Sequence, residues 1–185
     1  MLSIAPGACL TTDRLVLRVA TAELMGVASA GDSASLARLL PARIPPDWPP
    51  RIDDDGRMAR EGFAYVHDLL ERHPALIGWW GWFVLLQIPE PVLIGAVSPK
   101  GPPDSEGTVE VSYGIVASHQ GRGYATEATL GLIAWIERDP HVRKIVAETL
   151  PHLAASIAVM RKCGLAFMGE GSEPGTIRYG RNRAS

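Results

Sequence analysis

The stretch VEVSYGIVASHQGRGYATEA, residues 109–128, joins an alternating pattern to a glycine-containing bend and a helical run. The alternation predicts a strand over 108–116 with one apolar face and one more polar face. Gly121 and Gly123 follow the strand, and a helical pattern then continues to about residue 139. The bend therefore lies where a strand ends and a helix begins.

Such a bend is suited to an anion. The first turn of a helix has about four backbone N–H groups without internal partners, and it is the positive end of the helix dipole. Gly121 and Gly123 lack the Cβ atoms that would keep a ligand away from these groups, and Arg122 adds a cation. A pyrophosphate fits this chemistry, although a tight turn without a ligand is also compatible with it.

Two familiar phosphate motifs fit poorly. The Walker string G-x-x-x-x-G-K-[ST] does not occur. A Rossmann turn needs a third glycine where Thr126 stands, although Glu148 is at about the right distance for a ribose-binding acid. The strand before the bend also carries Glu110 and Ser112, which is unlike a fully buried parallel strand.

A third motif, Q/R-x-x-G-x-G/A, is satisfied by residues 120–125. Here the chain resembles the ribosomal-protein N-terminal acetyltransferase-like branch of the GNAT superfamily. TTDRLVLR (11–18) and PHLAASIAVMRKCGLAFMGEG (151–171) are similar to its first strand and its last helix and strand. The resemblance implies that the loop binds the pyrophosphate of acetyl-CoA. The implied loop residues are Gln120, Gly121, Arg122, Gly123, Tyr124, Ala125 and Thr126.

The expected fold is α/β, with one domain over residues 1–185. It has a mixed, mostly antiparallel, twisted sheet of about six or seven strands and about four flanking helices, and the resemblance implies central strands splayed for acetyl-CoA. Strands are expected at 77–87 and 91–98 and a helix from Asp53–Asp55 to about His73. The proline-rich stretch 41–50 predicts a loop, which together with 51–56 is suited to cover the amine site. The expected apolar face of the 53–73 helix comprises Met58, Gly62, Tyr65, Val66, Leu69 and Leu70.

The resemblance implies direct attack by a primary amine on the thioester, with no acetyl-enzyme. Gly114, Ile115 and Val116 are then expected to hold the pantetheine arm, with the Ile115 N–H facing the thioester oxygen. Glu110 is a candidate base; a carboxylate paired with a neighbouring cation, or exposed at a sheet edge, is the alternative. Ser156 is a candidate acid; a small residue that allows close helix packing is the alternative.

Two positions depart from the family pattern. Many GNAT enzymes have a tyrosine near the departing sulfur where this chain has Met160, and the branch usually has an asparagine where this chain has Leu153. The departures keep a non-catalytic acyl-CoA-binding module open as an alternative. A nucleotide-dependent oxidoreductase is a further alternative, because an NAD(H) pyrophosphate could use the same bend.

Composition limits the partners. The net charge of −2 argues against a general nucleic-acid binder, and the most apolar segment is too short to cross a membrane. Cys9 and Cys163 form no metal-ligand pattern, so we expect no metal and a reduced, cytoplasmic setting. The expected partner is an amine, either a small molecule or a protein N-terminus. The aromatic run Trp79–Trp82 is compatible with core packing, a substrate pocket or a homodimer contact.

Overall fold

The computed structural model describes residues 2–50 and 57–183. Within them the chain forms one eight-stranded sheet and five α-helices, and none of these helices is long and apolar enough to span a bilayer. The strands are β1 Cys9–Thr11, β2 Leu15–Val19, β3 Trp82–Leu86, β4 Val92–Pro99, β5 Thr108–Ile115, β6 Lys144–Thr149, β7 Ala166–Glu170 and β8 Ile177–Asn182. The helices are α1 Ala22–Ser29, α2 Ser33–Leu39, α3 Arg57–Arg72, α4 Tyr124–Ile136 and α5 Ala154–Lys162.

The strand order is β1-β2-β3-β4-β5-β6-β8-β7. Neighbouring strands are antiparallel except β5 and β6, which are parallel and are connected through α4. The predicted mixed, mostly antiparallel α/β sheet is confirmed. The described part of the chain has eight strands where six or seven were expected, and five α-helices where about four were expected. The unpredicted strand is β1, whose three residues are too few to show an alternating pattern.

The sheet has helices on both faces. On β2, Leu15, Leu17 and Val19 belong to the cluster that contains the buried residues of α4 and α5. Val16, on the opposite face, packs against the cluster that contains the buried residues of α1 and α2. The period of two along this strand therefore separates two hydrophobic layers.

Two predicted elements differ in detail. The strand expected at 77–87 begins only at Trp82, because Gly78 and Gly81 have φ values of 87° and 155° and interrupt the extended backbone. On α3, Met58 and Tyr65 are more than half exposed, so the predicted apolar face was wrong there.

The reason is that α3 packs against α1 along a different line. His67 Nδ1 donates a hydrogen bond to the Ala22 carbonyl at 2.9 Å. A Cβ on Gly26 of α1 would lie 3.1 Å from the same ring, so the two helices approach closely there. Residues Asp53–Asp55, expected at the start of this helix, lie outside the described residues.

Trp79 and Trp82 are core residues. Both are fully buried, with ring centroids 5.0 and 5.3 Å from that of Trp135. Their indole N–H groups donate to the carbonyls of Leu2 at 3.0 Å and Gly78 at 2.8 Å. Of the interpretations open for the aromatic run, core packing holds for these two residues.

Candidate active site

The parallel strands β5 and β6 separate at the centre of the sheet. They pair over Thr108↔Lys144, Val109↔Ile145 and Glu110↔Val146. Beyond this point β5 continues to Ile115 and remains paired with β4, whereas β6 continues to Thr149 and is paired with β8. The expected splay of the central strands is therefore present, and a gap opens at their carboxyl ends.

Backbone groups of β5 face this gap. Lys100 N donates to the Glu110 carbonyl at 2.8 Å, and Val116 N donates to the Ile94 carbonyl at 2.9 Å. Because backbone groups alternate along a strand, even-numbered residues of β5 are directed to β4 and odd-numbered ones to the gap. The N–H groups of Tyr113 and Ile115 thus face the gap, while Gly114 and Val116 direct theirs to β4.

The glycine bend follows directly. Gly121 and Gly123 have φ values of 74° and 82°, in the left-handed region that disfavours other residues. The backbone N–H groups from Gly121 to Thr126 donate to no acceptor within residues 2–50 and 57–183. A Cβ on Gly121 would meet nothing within 4 Å, so these groups are open to a ligand.

Gln120 connects the bend to the gap. Its backbone N–H donates to the Ala117 carbonyl at 3.3 Å, and its side-chain Nε2 donates to the Ile115 carbonyl at 2.8 Å. The predicted loop residues 120–126 are therefore brought together beside the end of β5. Gln120 supports the loop rather than offering a free amide, while Tyr124, Ala125 and Thr126 form the first turn of α4.

The loop 41–50 covers the other face of β5. Asp47 accepts hydrogen bonds from Ser118 N at 2.8 Å and from Ser118 Oγ at 3.1 Å. A Cβ on Gly114 would lie 3.0 Å from Pro50. The described part of the expected cover thus contacts both the strand and the start of the bend.

His119 is partly buried beside the same contact, with Nδ1 2.9 Å from Ser118 Oγ. Burial lowers the pKa of His119, and the neighbouring Arg122 lowers it further. Since the neutral ring is favoured, His119 is poorly suited to neutralise a phosphate near pH 7.

Glu110 lies at the closed end of the gap. Its carboxylate is paired with the Lys100 ammonium, and a quarter of its side chain is exposed. Ile115 is five positions further along the extended strand, which corresponds to about 16 Å. The structure therefore contains the ion pair weighed as an alternative, and any proton transfer from an amine near Ile115 would require intervening water.

Ser156 lies in the first turn of α5, opposite Tyr113. The Tyr113 hydroxyl donates to the Ser156 carbonyl at 2.8 Å and is 3.1 Å from Ser156 Oγ. Burial raises the pKa of Tyr113 to about 12, although the hydrogen bond with Ser156 opposes this shift. Two neutral hydroxyl groups are therefore placed together beside the gap.

Sequence reasoning assigned no site role to Tyr113, because the alternation placed it among apolar residues. The available signal was that it carries the one hydroxyl on the face of Val109, Val111 and Ile115. Met160 is 1% exposed and belongs to the hydrophobic core.

Leu153 precedes α5 and is 44% exposed. Its side chain cannot accept a hydrogen bond from the first turn of the helix, whereas an asparagine at this position could. The amino end of α5 therefore lacks a polar side chain at the position of Leu153, where an asparagine is expected from the resemblance to the ribosomal-protein-like branch.

A comparison with protein families fits this geometry. The profile described as "Acetyltransferase (GNAT) domain" matches residues 14–166, most of the chain. The chain belongs to the GNAT acetyltransferase family. The predicted GNAT resemblance and the prediction of an acyltransferase enzyme are thereby confirmed, and acetyl transfer from acetyl-CoA is the reaction of the family.

Individual GNAT relatives are distant in sequence. The chain is 24% identical over 164 residues to the uncharacterised N-acetyltransferase YjdG of Bacillus subtilis (strain 168), covering 89% of this chain and 93% of the relative. The ribosomal-protein-S5-alanine acetyltransferase of Vibrio fischeri superposes with a TM-score of 0.65 at 17% identity, covering 96% and 98% of the two chains.

The ribosomal L7/L12 α-N-protein acetyltransferase RimL, solved in complex with coenzyme A, has a TM-score of 0.63 and 17% identity, covering 95% and 98%. At such identities these structures show the shared fold. They belong to the ribosomal-protein branch that the sequence resembles.

Proposed function

We propose that the protein is an acetyl-CoA-dependent N-acetyltransferase that acetylates a primary amine, on a protein or peptide N-terminus or on a small molecule. The observation that carries the proposal is the row of amides from Gly121 to Thr126, which find no acceptor in the described part of the chain and lie beside the gap between β5 and β6. These amides fit a pyrophosphate, and the gap fits an extended arm that hydrogen-bonds to strand edges. The two features meet at Gln120, which links them.

Acetyl-CoA supplies an activated acetyl thioester: the amine nitrogen forms the new C–N bond, the C–S bond breaks, and CoA leaves as a thiol. The Ile115 N–H donates to the carbonyl oxygen and stabilises the negative charge that develops there. A preorganised donor of this kind contributes about 3 kcal/mol to lowering the barrier. Tyr113 offers a second N–H, two residues earlier, to the arm.

Two protons have to move. Glu110 takes one from the attacking amine through water. Direct contact is excluded because Glu110 lies about 16 Å along β5 from Ile115. Ser156 gives one to the departing sulfur and regains a proton from water, and Tyr113 holds the Ser156 hydroxyl in place. Since a thiol has an ordinary pKa of about 8.5, this second transfer needs less assistance than it would for an alcohol.

The oxidoreductase alternative is not favoured by the geometry. Glu148, the residue that imitates a ribose-binding acid, is engaged by Arg178 at 2.6 Å and by Ser172. Burial opposes its ionisation, but these hydrogen bonds outweigh burial and hold the pKa of Glu148 below its usual value. The sheet is also mostly antiparallel, which is unlike a doubly wound nucleotide-binding fold.

A non-catalytic acyl-CoA-binding module is the second candidate, and Met160 and Leu153 are the observations that favour it. It predicts CoA binding without turnover. The cytoplasmic setting also stays part of our proposal, since Cys9 and Cys163 are both free thiols.

The test is acetyl transfer from [¹⁴C]acetyl-CoA to a panel of peptides with different N-terminal residues and to small primary amines, read by mass spectrometry and label incorporation. Matched peptides with blocked N-termini are the control. Acetylation of free amines alone supports the proposal. Tight CoA binding with no acetylated product above the enzyme-free background would favour the binding module.

A further inference from the structure

Glu127 presents an electrostatic problem for the proposed pyrophosphate site. It lies in the first turn of α4, and its N–H donates to the Gly123 carbonyl at 3.0 Å. Its side chain therefore starts within about one helical turn, roughly 5 Å, of the open amides. A negative charge at this distance would oppose binding of a phosphate unless it were neutralised.

Arg14 neutralises this charge from the other end of the chain. Its Nε and Nη2 both lie 2.7 Å from Glu127 Oε2, and its backbone N–H donates to Oε1 at 2.8 Å, across a separation of 113 residues. Thr12 Oγ1 adds a hydrogen bond to Oε1 at 2.6 Å. Both carboxylate oxygens are thus occupied by donors from the segment before β2.

Arg14 also contacts the bend itself. Its Nη1 donates to the Arg122 carbonyl at 3.1 Å, and its guanidinium lies 4.6 Å from the centre of the Tyr124 ring. A Cβ on Gly123 would lie 3.5 Å from Nη2. One guanidinium therefore touches the residues on both sides of Gly123 and fixes how the bend enters α4.

Burial opposes ionisation of Glu127, but the hydrogen bonds from Thr12 and Arg14 outweigh burial and lower its pKa. The carboxylate is consequently ionised at neutral pH. Removing Arg14 would leave that charge without its cation, beside the amides that a phosphate has to reach.

We propose that Arg14 is a positioning residue for the CoA pyrophosphate, an inference that rests on the proposed function. Arg14 holds the bend in its binding conformation and neutralises the charge of Glu127. Glu127 in turn anchors Arg14. The two residues act as a unit, so their effects on CoA affinity should not be additive.

The test compares Arg14→Met, Glu127→Gln and the double variant by isothermal titration with CoA. We expect Arg14→Met to raise the Kd for CoA about tenfold, the size expected for loss of charged hydrogen bonds. Because Glu127→Gln then removes the uncompensated charge, the double variant should bind CoA more tightly than Arg14→Met alone. A purely structural brace predicts the opposite, since each further lost contact would loosen the bend.

Two controls complete the design. Pantetheine, which has the arm but no phosphate, should bind all variants equally in a competition titration. Arg18→Met makes the same substitution within β2, where Arg18 is paired with Cys9 and Phe83, and should leave the Kd for CoA unchanged. An unchanged Kd in Arg14→Met, or a double variant that binds no better than Arg14→Met, overturns the role of Arg14. A wild-type protein that does not bind CoA overturns the proposed function itself.

Discussion

The Tyr113 hydroxyl donates to the Ser156 carbonyl at 2.8 Å and lies 3.1 Å from Ser156 Oγ, which joins β5 to the first turn of α5 beside the gap in the sheet. The contact brings together a strand residue and a helix residue that are 43 positions apart. In the proposed mechanism this hydroxyl pair serves the departing thiolate, which needs a proton.

Ser156→Ala is predicted to lower kcat by about tenfold, at or below the low end of general acid catalysis, because a thiolate is a good leaving group. The KM for acetyl-CoA should stay unchanged. Tyr113→Phe should lower kcat by less, since Ser156 remains but is less well held. Tyr179→Phe is the matched control, because Tyr179 is a buried tyrosine of β8 whose hydroxyl meets Arg161 instead. An unchanged kcat in Ser156→Ala would remove the acid assignment.

Glu110→Gln and Lys100→Met together distinguish a base from an ion-pair partner. If Glu110 accepts the amine proton, Glu110→Gln lowers kcat while Lys100→Met leaves it nearly unchanged. If the pair is only structural, both variants lose the same small stability, below about 1 kcal/mol for so exposed a pair, and neither changes kcat. Steady-state rates over pH 6–9 and chemical denaturation provide the two readouts.

Gly121→Ala is predicted to weaken CoA binding through the methyl group it adds over the open amides. Gly175→Ala is its matched control: Gly175 has φ 83° against 74° for Gly121, and a Cβ on either would meet nothing within 4 Å. Both variants should lose about 1 kcal/mol of stability through left-handed strain. Only Gly121→Ala should raise the Kd for CoA. If the two variants bind CoA with equal affinity, the pyrophosphate does not bind at the bend that contains Gly121.

Acid stability is predicted to depend on Asp139, which is fully buried. Burial opposes its ionisation, but hydrogen bonds from His141 and the Leu2 N–H outweigh burial and lower its pKa from 3.8 to about 2. A carboxyl whose pKa is lowered by folding stabilises the protein at pH values above its pKa in the unfolded state, near 3.8. This stabilisation is lost as the pH falls through the folded-state pKa of about 2. The contribution is about 2 kcal/mol.

Urea denaturation of Asp139→Asn and wild type between pH 2 and 6 measures this effect. The difference in unfolding free energy should be largest above pH 4 and should shrink by about 2 kcal/mol towards pH 2. Asp13→Asn, which removes a carboxylate at an exposed position, is the control. If the difference in unfolding free energy for Asp139→Asn does not change with pH, the lowered pKa of Asp139 and its assignment to the hydrogen bonds from His141 and Leu2 are contradicted.

The sequence predicted the strand, the bend and the helix start of the candidate site because their signals are local. Alternation over 108–116 and the glycines at 121 and 123 specify a strand, a bend and a helix start within one short stretch. The cap of α1 is equally local: the Thr21 side chain accepts from Leu24 N at 3.2 Å. Turn and cap chemistry depend on adjacent residues, which a sequence displays directly.

Contacts between distant segments were not predictable in this way. Nothing in the residues around Glu127 indicates that Arg14 meets it, and Tyr113 carries no local sign that Ser156 lies opposite. The face of α3 was misjudged because helical spacing gives several apolar lines, and packing against α1 selects among them. Contacts between distant residues depend on the order of the strands in the sheet. From a single sequence, that order can be expected only from a family resemblance.

Thermal unfolding in the presence of saturating CoA, acetyl-CoA, NADH or ATP tests the central claim most directly. A ligand that binds only the folded state stabilises it by about 2.7 kcal/mol at a hundredfold excess over its Kd. We predict that CoA and acetyl-CoA raise the midpoint by several degrees and that NADH does not. A rise with NADH, or none with CoA, would contradict the assignment of residues 120–126 as a CoA pyrophosphate loop.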